Sequence, residues 1–182
     1  MKNACVLLAD GFEEVEAITP IDYLRRAKID VKIIGVTGTI VSGSHGIKVE
    51  ADSGPEALGQ DYDCIVVPGG GRGADNLAAS PAVTFFIQRH FGSGKLIAAI
   101  CAAPAVVLHL SCNILSGKKF TCYPGLETKV SGAQFSEERV VVDGNLLTSR
   151  SAGTAGEFAQ AIVALVVGQA EADDLAQQVL LH

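Results

Sequence analysis

Three short, unbroken apolar runs constrain this chain most: Ala4–Ala9, Cys64–Val67 and Leu96–Ile100. Each is strand length and offers no polar alternate to water, so each needs cover on both faces. Helix-like stretches follow all three. A further run, Val31-Lys32-Ile33-Ile34-Gly35-Val36, reads as another strand. Strands alternating with helices in this way build a mostly parallel sheet with helices on both faces, the doubly wound α/β plan.

In chain order, Ala4–Ala9 reads as a first and central strand, and Asp10-Gly11-Phe12 as a turn. Glu13–Ile18 opens a helix running toward Arg26, with acidic residues at the positive end of its dipole. Pro20, several residues in, implies a kink or a later start. Thr37–Glu50 is rich in Gly and Ser and reads as a small hairpin, with His45 exposed in its loop. Asp52–Pro55 is a turn before a short helical piece. Ser80-Pro81 is a good N-cap pair for a helix to about Phe91. Phe120–Pro124 reads as a short strand ending in a turn. Val140–Val142 and Leu146–Thr148 flank Asp143-Gly144-Asn145, a hairpin signal, and Ser149–Gly153 is a loop holding Arg150. Thr154–Val167 and Asp173–Leu181 read as helices.

The chain of 182 residues suits one domain over 1–182 with a sizeable core. A net charge of -6 argues against nucleic acid, which needs a basic surface. No apolar run reaches membrane-span length, and no secretory signal is visible. Five cysteines, with no CxxC pair and no Cys/His ligand spacing, fit a reduced, cytoplasmic protein without metal or cofactor.

The chemistry centres on Leu96–Ala105. Cys101 stands between a strand and a helix, with the small residues Ala99 and Ala103 two places to either side. That is the nucleophile-elbow pattern with Cys in place of Ser. Free N–H groups of the following helix draw a thiol there toward thiolate. The plainer reading is a buried Cys in a strand-to-helix turn. Glu16 sits where helix starts face the carboxyl edge of such sheets, although an exposed helix-start carboxylate explains it too. Gly69, Gly71 and Ala74 loosely match a dinucleotide fingerprint, but follow an internal strand with no acidic residue at the right distance. The alternatives are backbone N–H groups for an oxyanion, or a tight turn only. His109 lies two helical turns past Cys101 and reads as structural.

Taken together, Ala99–Ala105, Val67–Gly70, Glu13–Glu16 and Thr148–Thr154 resemble the ThiJ/PfpI superfamily, in the branch of bacterial YajL and the human parkinsonism-associated protein deglycase. The resemblance spans nearly the whole chain, with the motifs in the family's order. It implies a flavodoxin-like sandwich within the class I glutamine amidotransferase-like group, and a homodimer. It implies that Cys101 is the nucleophile, that Glu16 is the acid beside it, and that Gly70 and Ala102 turn backbone N–H groups toward the site. It further implies glyoxalase or deglycase activity on small dicarbonyls and glycated adducts, oxidation of Cys101 to a sulfinate under oxidative stress, and a chaperone role. Tyr123 stands where many members carry His, and Tyr123 and Arg150 are candidate accessory residues. His45 and Ala152 replace an Arg and a Pro found in the human relative.

Two functional classes follow. One is a cofactor-independent enzyme acting on methylglyoxal-type aldehydes through a Cys101 thiolate, with Glu16 as proton carrier. The other is a redox-sensing chaperone or binding protein whose Cys101 oxidises. An amidase or peptidase is disfavoured, because protease-like members place His directly after the nucleophile and here that residue is Ala102.

Overall fold

The computed structural model describes residues 1–181. Its centre is a six-stranded sheet. In chain order the elements are β1 (Asn3–Leu8), α1 (Glu14–Arg26), β2 (Asp30–Gly35), the hairpin β3 (Ile40–Ser42) and β4 (Lys48–Glu50), β5 (Cys64–Val67), α2 (Gly71–Ala78), α3 (Pro81–Gly92) and β6 (Leu96–Ile100). A π-wound helix, Pro104–Ser111, follows, then β7 (Lys119–Phe120), β8 (Gln134–Phe135), β9 (Val140–Asp143), β10 (Leu146–Ser149), α4 (Ala155–Val166) and α5 (Gln169–Val179).

The sheet order is β2-β1-β5-β6-β10-β9. Every pairing is parallel except β10 with β9, the hairpin at Asp143-Gly144-Asn145. The apolar runs alternate between two cores, which is why they contain no polar residues. Cys5, Leu7 and Ala9 enter one core with Phe86 and Ile97, while Ala4, Val6 and Leu8 enter the other with Phe158 and Ile162. Full burial of each large aliphatic side chain contributes about 1.5–3 kcal/mol. Both layers are thus needed to cover the sheet.

Several expectations shift. β1 is interior, but β5 and β6 are the middle strands. Helix α1 keeps Pro20 in its interior. The proline has no N–H, so the Glu16 carbonyl lacks its usual intrahelical donor. The strand expected over Phe120–Pro124 is confined to Lys119–Phe120 and pairs with β8 outside the main sheet, because Thr121 N–H turns to the Thr148 hydroxyl at 2.9 Å. The last helix starts at Gln169, earlier than the expected Asp173, since Gly168 breaks the chain in a positive-φ conformation directly after α4. No helix among the described residues is long and apolar enough to cross a membrane.

The chain moves from β1 outward to β2, then crosses to the other side of β1 to lay down β5. Beside such a reversal the crevice at the strands' carboxyl ends is open. The turn after β1, the Gly-rich turn after β5 and the turn after β6 all meet there.

Candidate active site

Cys101 follows the last residue of β6 and has φ 65°, a conformation costly for a residue with a side chain. Its surroundings hold it there. Its N–H donates to the Ser149 carbonyl at 3.0 Å, and its carbonyl accepts from Tyr123 N–H at 2.8 Å. Ala99 and Ala103 are fully buried, so the small residues flanking the turn are packed as an elbow requires. Cys101 is partly exposed, whereas Cys5, Cys64, Cys112 and Cys122 are buried.

Glu16, in the first turn of α1, is completely buried. The Gly69 N–H donates to its Oε2 at 2.9 Å, while Oε1 has no well-formed partner within the protein. Burial pushes the Glu16 carboxyl up to about 7, against the lowering pull of the Cys101 thiol and the Gly69 N–H. Burial, and then the charge of Glu16, push the Cys101 thiol up to about 12, although the Gly70 and Ala102 N–H groups favour its thiolate. The expected drift toward thiolate at the helix N-terminus is therefore outweighed by burial. The two groups titrate as one coupled pair. Glu16 opposes the thiolate only while it is ionised, so passing the thiol proton to Glu16 removes that opposition.

The Gly-rich turn is built around these contacts. A Cβ on Gly69 would lie 2.6 Å from both Cys101 Cβ and Glu16 Oε2. Gly70 has φ 86°, and a Cβ there would strike the Gly11 carbonyl and the Glu13 N–H. The sequence pointed to this Gly-rich turn as a source of backbone N–H groups for an oxyanion, but not to the Gly69 N–H as the partner of the Glu16 carboxyl.

A cleft of about 420 Å³ opens over Cys101 and is lined by Glu16, Gly70, Ala102, Tyr123 and also by Glu13, Leu126, Ser151 and Ala152. Ser151 and Ala152 are set by a reciprocal cap between Ser151 and Thr154. Tyr123 is half exposed at the rim. Arg150 is directed elsewhere: its guanidinium lies 5.7 Å from the Phe135 ring centroid. His109 also stands apart, its Nε2 accepting from Ser131 N–H at 3.3 Å.

Among the described residues, Glu13, Glu14 and His45 have donor atoms close enough together to hold a metal ion. Their hydrogen bonds already account for the grouping. Glu14 accepts from His45 N–H at 2.7 Å, from Ile47 N–H at 3.4 Å and from the Ser44 hydroxyl at 3.1 Å, with His45 Nδ1 at 2.9 Å. Burial raises the Glu14 carboxyl, but these hydrogen bonds outweigh it and hold the group down to about 2. Glu14 thereby anchors the β3–β4 hairpin beside the cleft.

A family model described as DJ-1/PfpI family matches residues 2–165. The Parkinson disease protein 7 homolog of Danio rerio is 40% identical over 173 residues, covering 92% of this chain and 90% of that protein. Protein DJ-1 homolog B of Arabidopsis thaliana is 40% identical over 178 residues, but this chain, 97% covered, spans only 40% of it. A protein of Pyrococcus abyssi named as a deglycase is 32% identical over 151 residues, covering 81% of this chain and 89% of that one. The solved structure of oxidized DJ-1 from Toxoplasma gondii superposes with a TM-score of 0.96 at 37% identity, covering 99% of this chain and 98% of that one.

Proposed function

The chain belongs to the DJ-1/PfpI family, and from that premise we propose that it is a cofactor-independent glyoxalase/deglycase. One observation carries this reading: a completely buried carboxyl, raised by that burial to about 7, lies beside a partly exposed thiol that faces two backbone N–H groups. In the proposed cycle the Cys101 proton passes to Glu16. The thiolate adds to the aldehyde carbon of methylglyoxal while protonated Glu16 gives its proton to the carbonyl oxygen, which forms a hemithioacetal and leaves Glu16 ionised. Glu16 then carries a proton from that carbon to its neighbour through an enediol. The Gly70 and Ala102 N–H groups stabilise the developing oxyanion. Water hydrolyses the resulting thioester, releasing lactate and the free thiol. On a hemiaminal or hemithioacetal that methylglyoxal has formed with an amine or thiol, the bond from Cys101 sulfur to the former aldehyde carbon forms and that carbon's bond to the amine nitrogen or thiol sulfur breaks. The freed amine or thiol takes the proton held by Glu16. Tyr123 at the rim donates a hydrogen bond rather than acting as a base.

The relative named as a deglycase gives this reading its chemical class. We assign the protein to the cytoplasm and to a homodimer. Val15 and Ile18 on α1 and Ile47 beside the hairpin are exposed, and together they offer an apolar face to a second copy. The enzymatic test is lactate production from methylglyoxal by three proteins. Glu16→Gln should reduce turnover by roughly 10²–10⁴-fold, and Cys101→Ala should abolish it. Wild-type turnover in Glu16→Gln would remove Glu16 from the mechanism.

A redox-sensing role is the second reading, favoured by the fact that Cys101 alone among five cysteines is not buried. Limited peroxide followed by peptide mass spectrometry should place the first sulfinate on Cys101. Oxidation intact with no turnover would make this the primary role.

A further inference from the structure

The cleft over Cys101 is charged on one side only. Two carboxyl groups, Glu13 and Glu16, line it, and among the described residues no lysine, arginine or histidine does. Glu16 is completely buried, so the carboxyl group that meets solvent in the wall is that of Glu13. Arg72 lines an adjoining hollow together with Asp10.

Glu13 is fixed in place and, among the described residues, shares a single basic neighbour, His45, with Glu14, so the group of three keeps an excess of carboxylates. Its backbone, extended just before α1, donates an N–H to the Gly69 carbonyl at 3.1 Å, which ties it to the turn that touches Cys101. Its Oε2 lies 3.1 Å from the Ser44 hydroxyl, whose one proton it shares with Glu14 Oε2 at the same distance. The nearest basic group is His45, whose Nδ1 lies 3.6 Å from Glu13 Oε1 but makes its shorter contact, 2.9 Å, with Glu14. The Glu13 side chain retains about a fifth of its exposure. Glu13 is thus a carboxylate held in the wall of the cleft, with no lysine or arginine paired to it among the described residues.

We propose that Glu13 is a specificity-determining residue that makes the Cys101 cleft select positively charged partners over negatively charged ones. For the glyoxalase/deglycase reading, on which this substrate class rests, the preferred adducts carry an ammonium or guanidinium group near the aldehyde carbon. Neutral dicarbonyls are admitted, and carboxylate-bearing aldehydes are turned away. The hairpin residue Ser44 acts as a positioning residue for Glu13.

The selection is measurable without turnover. Methanethiosulfonates transfer a thioalkyl group to a thiolate, forming one S–S bond and releasing methanesulfinate. Two reagents of similar size, one ending in trimethylammonium and one in sulfonate, are compared on wild type and Glu13→Gln, with Cys101→Ala as blank. Each rate is divided by that for 2-mercaptoethanol, and intact mass confirms a single label. One fixed charge a few ångströms away in an open cleft predicts a normalised cation-to-anion ratio of about tenfold at low salt. The ratio should shrink as ionic strength rises and fall severalfold in Glu13→Gln, which keeps the hydrogen bond to Ser44. A wild-type ratio of one or below, or a ratio unchanged in Glu13→Gln, overturns the proposal.

A second arm measures methylglyoxal turnover in the presence of glyoxylate, which has an aldehyde but no ketone beside it and so can form only a dead-end hemithioacetal with Cys101. The proposal expects glyoxylate to be a weak inhibitor of wild type and a severalfold stronger one of Glu13→Gln; equal inhibition of the two would overturn it. Loss of methylglyoxal turnover alongside a tenfold labelling ratio would sink the glyoxalase/deglycase reading and leave the charge selection standing.

Discussion

Substituting alanine for Gly69 adds one methyl group at the most crowded point beside Cys101. Gly69 does not have a positive φ, so the cost is steric rather than conformational. The new carbon would sit 2.6 Å from Cys101 Cβ, 2.6 Å from Glu16 Oε2 and 3.0 Å from the Ile100 carbonyl oxygen. Non-bonded carbons settle at about 3.5–4.0 Å, so the overlap is roughly 1 Å. None of these neighbours is the free end of an exposed side chain. Overpacking of this kind costs about 1–3 kcal/mol. Displacing the Gly69 N–H from the buried Glu16 carboxyl adds a further 1–3 kcal/mol or so. At about 2–4 °C per kcal/mol for a chain of this size, Tm should fall by on the order of 10 °C. Alkylation of Cys101 by iodoacetamide should slow as well. Gly92→Ala is the control: a Cβ there meets nothing, at the last residue of α3, away from the cleft. It should be neutral or stabilise by about 0.4–1 kcal/mol. Thermal melts and alkylation rates of both variants decide the matter. A Gly69→Ala protein with wild-type Tm and wild-type alkylation would refute the packing account of the elbow.

Three further outcomes concern pH. Glu16 has its carboxyl raised from 4.5 to about 7 in the fold, so the fold favours the protonated form and loses that stability as pH rises through about 7. Glu16→Gln should therefore be more stable than wild type at pH 8, with no gain at pH 4, in urea unfolding. Glu14 is the opposite case, lowered to about 2. Its stability contribution is present above the unfolded value and lost as pH falls from about 4.5 toward 2, and acid unfolding of Glu14→Gln should lack that limb. Burial depresses His90, which sits between the Phe86 carbonyl and the Tyr62 N–H. Protonation would break the Tyr62 bond, so its contribution is lost as pH falls below about 6.5. The stability difference between wild type and His90→Phe should shrink between pH 7.5 and 5.5.

The sheet was legible because its strands are apolar on both faces, a pattern that only a two-sided cover satisfies. Cys101 was legible because the elbow demands small residues at fixed offsets, and Ala99 and Ala103 supply them. Glu16 was half legible. Its position at a helix start was visible, but its complete burial depends on the turn after β5 closing over it, a contact 53 residues away in sequence. The same distance hid the role of the Gly69 N–H as partner to Glu16. The grip of Glu14 on the hairpin depends on a loop 31 residues on, whose Gly and Ser residues carry no periodic signal. Thiol acidity was misjudged for a related reason. Helix-end N–H groups can be read from local sequence, whereas desolvation depends on every element that packs around the thiol.

The account stands most directly on the proton that Glu16 is proposed to carry between two carbons of the substrate. Lactate formed from methylglyoxal in heavy water should carry deuterium at C2, seen by proton NMR as loss of the C2–H signal and collapse of the methyl doublet. Protium alone at C2 arises either from a hydride shift or from a Glu16 proton that never meets solvent, so Glu16→Gln is measured beside it. The account predicts turnover lower by roughly 10²–10⁴-fold; wild-type turnover would contradict the role of Glu16, and absence of lactate would contradict the glyoxalase reading altogether.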